Sequence, residues 1–378
     1  MKQKSNKTFM ILSALGILFV VDAHAWSPLG LMTNFFPYNS FFMPMFCFIS
    51  GYFFKPEKLK PFSKYIIHKV KALLIPFFVW NILYGLLSAL LRLMGLISYG
   101  APISFYTIFI EPFLDCAMFQ FNLPAWFVLA LFLVIFSYSL IRKVLGRYWN
   151  EIFMGLLFII IGTACVHFSR QGYNTDPRLL PLLKTGFLMQ FYQIGRLYHT
   201  HLEKLYHQIP SSLLITVPIL VNSVCIYVTN DQIYFNDIAT MAGFLTDYDF
   251  LPLLTSITGI CFWLKISEIM APILGNNRFV NFVSSNTWTV MMHHILFFNL
   301  YNAVLAILVK ASILQIPFDF AAFQNSAWYR FEPVAAFRVL YVFFGFFGPL
   351  AVKYGWEKVK VRFDSCRPHQ IGRFPDIL

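Results

Sequence analysis

Apolar runs separated by short polar connectors fill the whole chain, and ten of them predict membrane helices, at roughly 9–26, 38–54, 72–97, 124–142, 152–168, 183–199, 212–229, 250–270, 286–310 and 333–353. A spanning helix needs about 20 predominantly apolar residues, and backbone polar groups must pair internally in lipid, so runs of this length read as helices. Two runs are short and interrupted. Pro44 lies in 38–54, and Gln190 and Gln193 lie in 183–199, so both read as tilted, broken or partly re-entrant. The expected fold class is all-α, a polytopic integral membrane bundle of about ten transmembrane helices forming one domain over 1–378.

The connectors carry an independent signal, because cytoplasmic loops are enriched in Lys and Arg. Lys2, Lys4 and Lys7 precede the first run, whereas 27–37 has no basic residue; Lys55, Lys58, Lys60, Lys64, Lys69 and Lys71 follow the second, whereas 98–123 has none. Arg142, Lys143 and Arg147 fall on the basic side, and 230–249 carries Asp231, Asp237, Asp247 and Asp249 without a Lys or Arg. Lys353, Lys358, Lys360, Arg362, Arg367 and Arg373 close the chain, so both termini are expected in the cytoplasm and the protein in the cell (plasma or inner) membrane. The exception is 169–182, expected outside although it holds Arg170 and Arg178.

Composition agrees. Hydrophobic residues make up 58% and charged residues 12%, and the mean hydropathy is +0.64. The lipid bilayer is thus the first partner. The net charge of +12 resides mainly in the connectors, and no segment outside the membrane is large enough for a basic nucleic-acid-binding face, so that class is excluded. Trp26, Trp80, Trp149 and Trp356 suit interfacial anchoring. Cys47, Cys116, Cys165, Cys225, Cys261 and Cys366 form no CxxC pair and read as packing residues; no metal site is expected. The basic start, apolar run and Ala23-His24-Ala25 also match a cleavable signal peptide, which would discard His24.

Ionisable side chains inside spanning helices are costly and by default mark a cavity or a functional path. That selects Asp22 and His24 in the first run, Arg92, Arg196, Lys265 and Glu268, His293 and His294, and Arg338. Snorkelling accounts for Lys265 and Arg338. Histidine can take a proton near neutral pH, as a general base must, so His24 and His294 rank first. His293 and His294 stand about 100° apart on a helix and do not both face one site. Asp22 and His24 point about 200° apart, which argues against a direct pair. His167, His199, His201 and His207 read as interfacial, and Glu111 with Asp115 as a solvated acidic face rather than a paired acid site.

These residues sit in segments that resemble the membrane-bound acyltransferase-3 family, which includes bacterial sugar and glycopolymer O-acetyltransferases. The run from Leu15 to Val21 closing in His24 is similar to the family's first helix with its essential histidine, and Phe41 to Phe53, with Ser50-Gly51-Tyr52, to its aromatic second segment. Lys69 to Phe77 with Trp80, Pro124-Ala125-Trp126-Phe127, and Asn286-Thr287 running to His294 follow in the family's order. The resemblance implies a retained first helix, His24 as base and His294 as a second participant. It brings in Trp126 and Asn286, with Arg92 and Arg196, as substrate- or donor-binding candidates. The family's basic residue eleven positions before the histidine is Ser13 here, so another cation, Arg92 or Arg196, would have to replace it.

What the resemblance implies is an O-acyltransferase that takes an acetyl group from acetyl-CoA, with no metal, to a hydroxyl of a carbohydrate or glycolipid acceptor. A cell-envelope biosynthesis complex is a further partner class. The alternative is a polysaccharide or lipid exporter on the same fold, and Ser13 adds weight to it.

Overall fold

The computed structural model describes residues 6–114, 119–230, 235–244, 248–334 and 337–365; Lys2, Lys4, Asp115, Cys116, Asp231, Asp247, Cys366, Arg367 and Arg373 lie outside them. Ten main helices follow the ten apolar runs. They are α1 (Lys7–His24), α2 (Phe42–Tyr52), α3 (Phe62–Leu93), α4 (Trp126–Leu145), α5 (Glu151–Arg170), α6 (Leu180–Leu197), α7 (Ser211–Thr229), α8 (Leu251–Leu274), α9 (Thr287–Lys310) and α10 (Phe337–Ser365). Among the described residues, eight of them are long and apolar enough to cross a membrane, α2 and α6 being the exceptions. A small antiparallel ribbon, β1 (Phe235–Asp237) and β2 (Ala242–Phe244), pairs Phe235 with Phe244 in the loop after α7.

The exceptions have a packing origin. Helix α2 is 11 residues, about 17 Å at 1.5 Å per residue, short of a hydrocarbon core of about 30 Å. Phe42, Met43, Met45, Cys47, Phe48 and Ile49 are all buried, so α2 lies among other helices instead of against lipid. Helix α6 is also largely buried, and Gln193 faces partners on α4 and α5: Tyr138 donates to Gln193 Oε1 at 2.6 Å, and Gln193 Nε2 donates to the Glu151 carbonyl at 2.8 Å. The two helices meet at glycines. A Cβ on Gly51 would lie 1.8 Å from the Tyr192 carbonyl oxygen, and one on Gly195 2.0 Å from that of Phe48. Only a bare Cα on each side permits this approach, which is how membrane helices gain packing where lipid offers no hydrophobic drive.

Helix α3 starts earlier than its apolar run because it passes through a π-helical turn at Val70–Leu74, where Ile75 N–H bonds Val70 O. Pro76 lacks an N–H and crowds the preceding carbonyls, and the wider turn absorbs it. Between helices, Asn222 of α7 donates to Phe35 O at 2.8 Å and Thr258 of α8 donates to Asn222 Oδ1 at 2.6 Å. The basic residues of the exceptional connector are both paired: Arg170 with Asp249 and Arg178 with Asp176. The Arg178 hydrogen bonds hold the Asp176 carboxyl down at about 2. Cys47, Cys165, Cys225 and Cys261 are free thiols.

Candidate active site

Helix α1 ends on His24 because the next turn cannot continue it. Trp26 and Ser27 take left-handed φ values of 64° and 53°, and Ser27 N–H bonds the Asp22 carbonyl at 2.8 Å. The Asp22 carboxylate accepts from Leu29 N–H at 3.1 Å, holding the turn and facing away from His24. The imidazole of His24 meets that of His294 instead, His24 Nδ1 to His294 Nε2 at 2.9 Å, with the rings stacked 4.9 Å apart. His294 is fully buried, and its Nδ1 lies 2.9 Å from Val290 O. That carbonyl only accepts, so His294 Nδ1 carries the proton, its Nε2 accepts, and His24 Nδ1 donates. With both rings neutral, His24 Nε2 is left as a lone pair with no proton on it.

His24 lines a cavity of about 80 Å³ with Asn39, Met43, Trp126 and Ile238, the last from the loop that carries the β-ribbon. Trp126 opens α4, and the ammonium of Lys184 lies 5.3 Å from its ring centre. On another side, the Trp328 ring centre is 5.5 Å from that of His24.

Two residues beyond Trp328, Arg330 is 4% exposed. Its Nη1 donates to Ala327 O at 3.1 Å and Tyr329 O at 2.9 Å, and its Nη2 reaches the His24 carbonyl at 3.4 Å. The guanidinium lies over Phe298 at 4.4 Å and Tyr341 at 5.3 Å. Its Nε is buried with no hydrogen-bond partner, and among the described residues no carboxylate pairs with it. Burial brings Arg330 down to about 10, so it stays charged at neutral pH. The loop is stapled to α9, since Asn299 donates to Ala327 O at 3.0 Å and Asn302 to Tyr329 O at 2.9 Å.

His293, one step before His294, turns to a different side of α9. Its Nδ1 lies 2.7 Å from Tyr84 OH, and it lines a cleft of about 650 Å³ with Trp80, Trp288, Leu296, Lys353 and Trp356. One helical step therefore separates the histidine that lines this cleft from the one that bonds His24.

The remaining sequence candidates sit elsewhere. Arg92 caps the turn after α3, bonding the carbonyls of Gly100 and of Ala101, the latter at 3.0 Å. Arg196 donates to Phe54 O at 3.0 Å and reaches Glu151 at 3.5 Å, where Arg142 also pairs at 2.8 Å. Asn286 is the hinge between the short helix Arg278–Ser285 and α9, and it donates to Phe282 O at 2.8 Å. Ser13 donates to Phe9 O within α1. Lys265 pairs with Glu268 at 2.9 Å, and Arg338 pairs with Glu332. So His24, His294 and Trp126 converge, while Arg92, Arg196 and Asn286 do not join them. Among the described residues no group of three or more His, Cys, Asp or Glu could hold a metal.

Sequence reasoning passed over Arg330, which falls just before the last apolar run. Its signal was present: a lone arginine within Trp328-Tyr329-Arg330-Phe331, in a connector otherwise poor in base.

The acyltransferase-3 family model, described as an acyltransferase domain, matches residues 11–354, from within α1 to within α10. Neither the curated proteins nor the solved structures compared with the chain contain a match. The match and the eight spanning helices together make this a multi-pass membrane acyltransferase, and the chain belongs to the acyltransferase-3 family.

Proposed function

We propose that the protein is an O-acyltransferase of the cell membrane that moves an acetyl group from acetyl-CoA to a hydroxyl of a carbohydrate or surface glycopolymer, with both termini cytoplasmic. The observation that carries this reading is the His24–His294 pair, bonded in turn to Val290 O, an arrangement that leaves His24 Nε2 without a proton when both rings are neutral.

A thioester is already activated, so the protein must deprotonate the acceptor hydroxyl, align the two substrates and stabilise the charge that passes through the carbonyl oxygen. His24 Nε2 takes the hydroxyl proton as the oxygen attacks the thioester carbon. His294 Nε2 accepts from His24 Nδ1–H throughout, which keeps the ring's orientation and supports the imidazolium. Collapse breaks the C–S bond, and the proton on His24 Nε2 passes to sulfur. Trp126, beside His24, offers a stacking face for a sugar ring. The basic connector from Lys55 to Lys71 suits the phosphates of CoA; it follows α2 at the end of α1 opposite His24, so the acyl group has to cross the bundle, along the pantetheine arm or by relay, to reach the base.

The test is thiol release from acetyl-CoA by purified protein in the presence of bacterial glycan acceptors. Wild type should transfer, and His24→Ala should lose roughly 10²–10⁴-fold, the usual worth of a positioned base. A wild-type protein with no CoA-dependent transfer whose loss stops polymer export would replace this reading with that of an exporter.

A further inference from the structure

We propose that Arg330 is the electrostatic and positioning residue of the site, a buried cation at the end of α1 that carries His24; this rests on the acyl-transfer reading above. Taking a guanidinium out of water costs several kcal/mol unless something compensates. Carbonyl oxygens and three aromatic faces hold Arg330, but Nε has no acceptor and no carboxylate neutralises the charge. The fold also places it with care: Asn299 and Asn302 fasten its loop to α9, and Tyr341 OH accepts from Phe331 N–H. A loop needing only to close the bundle would gain nothing from a buried unpaired charge, and an apolar side chain would pack there at less cost.

Its position explains the arrangement. The guanidinium lies at the C-terminal end of α1, reaching the carbonyl of His24 itself. A cation there satisfies the helix's open carbonyls and complements its dipole, so it fixes the turn from which the His24 ring projects. It also provides a fixed positive charge beside the dyad. During transfer the C–O bond forms as the carbonyl π pair moves onto oxygen, and that negative charge leaves on sulfur when the C–S bond breaks. Arg330, buried beside His24, offsets the charge through space.

The experiment compares wild type, Arg330→Lys, Arg330→Met and His24→Ala, purified in detergent, by kcat and KM for acetyl-CoA and by thermal unfolding. Arg330→Met should lose roughly 10²-fold in kcat with KM for acetyl-CoA little changed, the split expected when an interaction acts in the transition state. Arg330→Lys, which keeps the charge and loses the fork, should recover part of it. The proposal is overturned by Arg330→Met retaining wild-type kcat while His24→Ala is inactive, an outcome that leaves the acyl-transfer reading intact. It is overturned equally if Arg330→Lys and Arg330→Met lose the same activity and the same thermal stability, which marks a loop staple. Equal transfer by wild type and His24→Ala would remove His24 as the base, and no transfer by wild type would instead remove the parent reading.

Discussion

His24 and His294 are 270 residues apart and share a hydrogen bond of 2.9 Å, Nδ1 to Nε2, in which the buried ring orients the ring that lines the cavity. The relationship assigns unequal roles. His294→Ala should reduce transfer by roughly 10–100-fold, less than His24→Ala, because the base remains but loses the partner that fixes its ring. Because the two act as a unit, the double variant should be no worse than His24→Ala alone. Additive losses measured in thiol-release assays would assign the two histidines to separate steps.

The α2–α6 contact makes a stability prediction. Gly51→Ala or Gly195→Ala forces a Cβ onto a backbone carbonyl of the facing helix, and backbone cannot yield as a side-chain tip can. Overpacking of this kind costs about 1–3 kcal/mol or more. Each variant should give less folded protein on detergent size exclusion and a lower unfolding temperature. Gly172→Ala, where a Cβ would meet nothing within 4 Å, is the control for the packing effect, with only its left-handed φ of 90° to strain it.

Asp249 ties the loop before α8 to the end of α5, with His167 at 2.7 Å and Arg170 at 2.5 Å. Burial pushes its carboxyl up, but the bonds from Arg170 and His167 outweigh it, and the net shift is downward. A carboxyl depressed on folding adds stability above its unfolded value of about 3.9, and that stability is lost as pH falls through the lower folded value. Asp249→Asn should therefore cost up to about 1 kcal/mol at pH 7, a few degrees of unfolding temperature. The gap between variant and wild type should close in melts run below about pH 4.

Orientation is open to direct measurement. With native cysteines replaced, a membrane-impermeant maleimide added to intact cells should label a cysteine at Asn34 and leave one at Lys60 unlabelled, as the basic connectors require. The reverse pattern would invert the bundle and put the cavity at His24 on the cytoplasmic side.

By itself the sequence determined the class of molecule and the course of the chain. Run length and the polar interruptions at Pro44, Gln190 and Gln193 are local properties, and the lipid requirement for internally paired backbone turns the runs directly into helices. Helical periodicity also separated His293 from His294, and Asp22 from His24, since 100° per residue holds wherever the helix packs. Tertiary structure alone decided what each polar group meets. Arg92 and Arg196 satisfy the backbone carbonyls and the carboxylate they happen to reach, and Arg330 lies beside His24 because Asn299 and Asn302 draw its loop onto α9. Apart from Arg92, which bonds Ala101 nine positions on, such pairings join residues tens to hundreds of positions apart, and a buried polar group takes the partner that packing brings within about 3 Å, which no local pattern encodes.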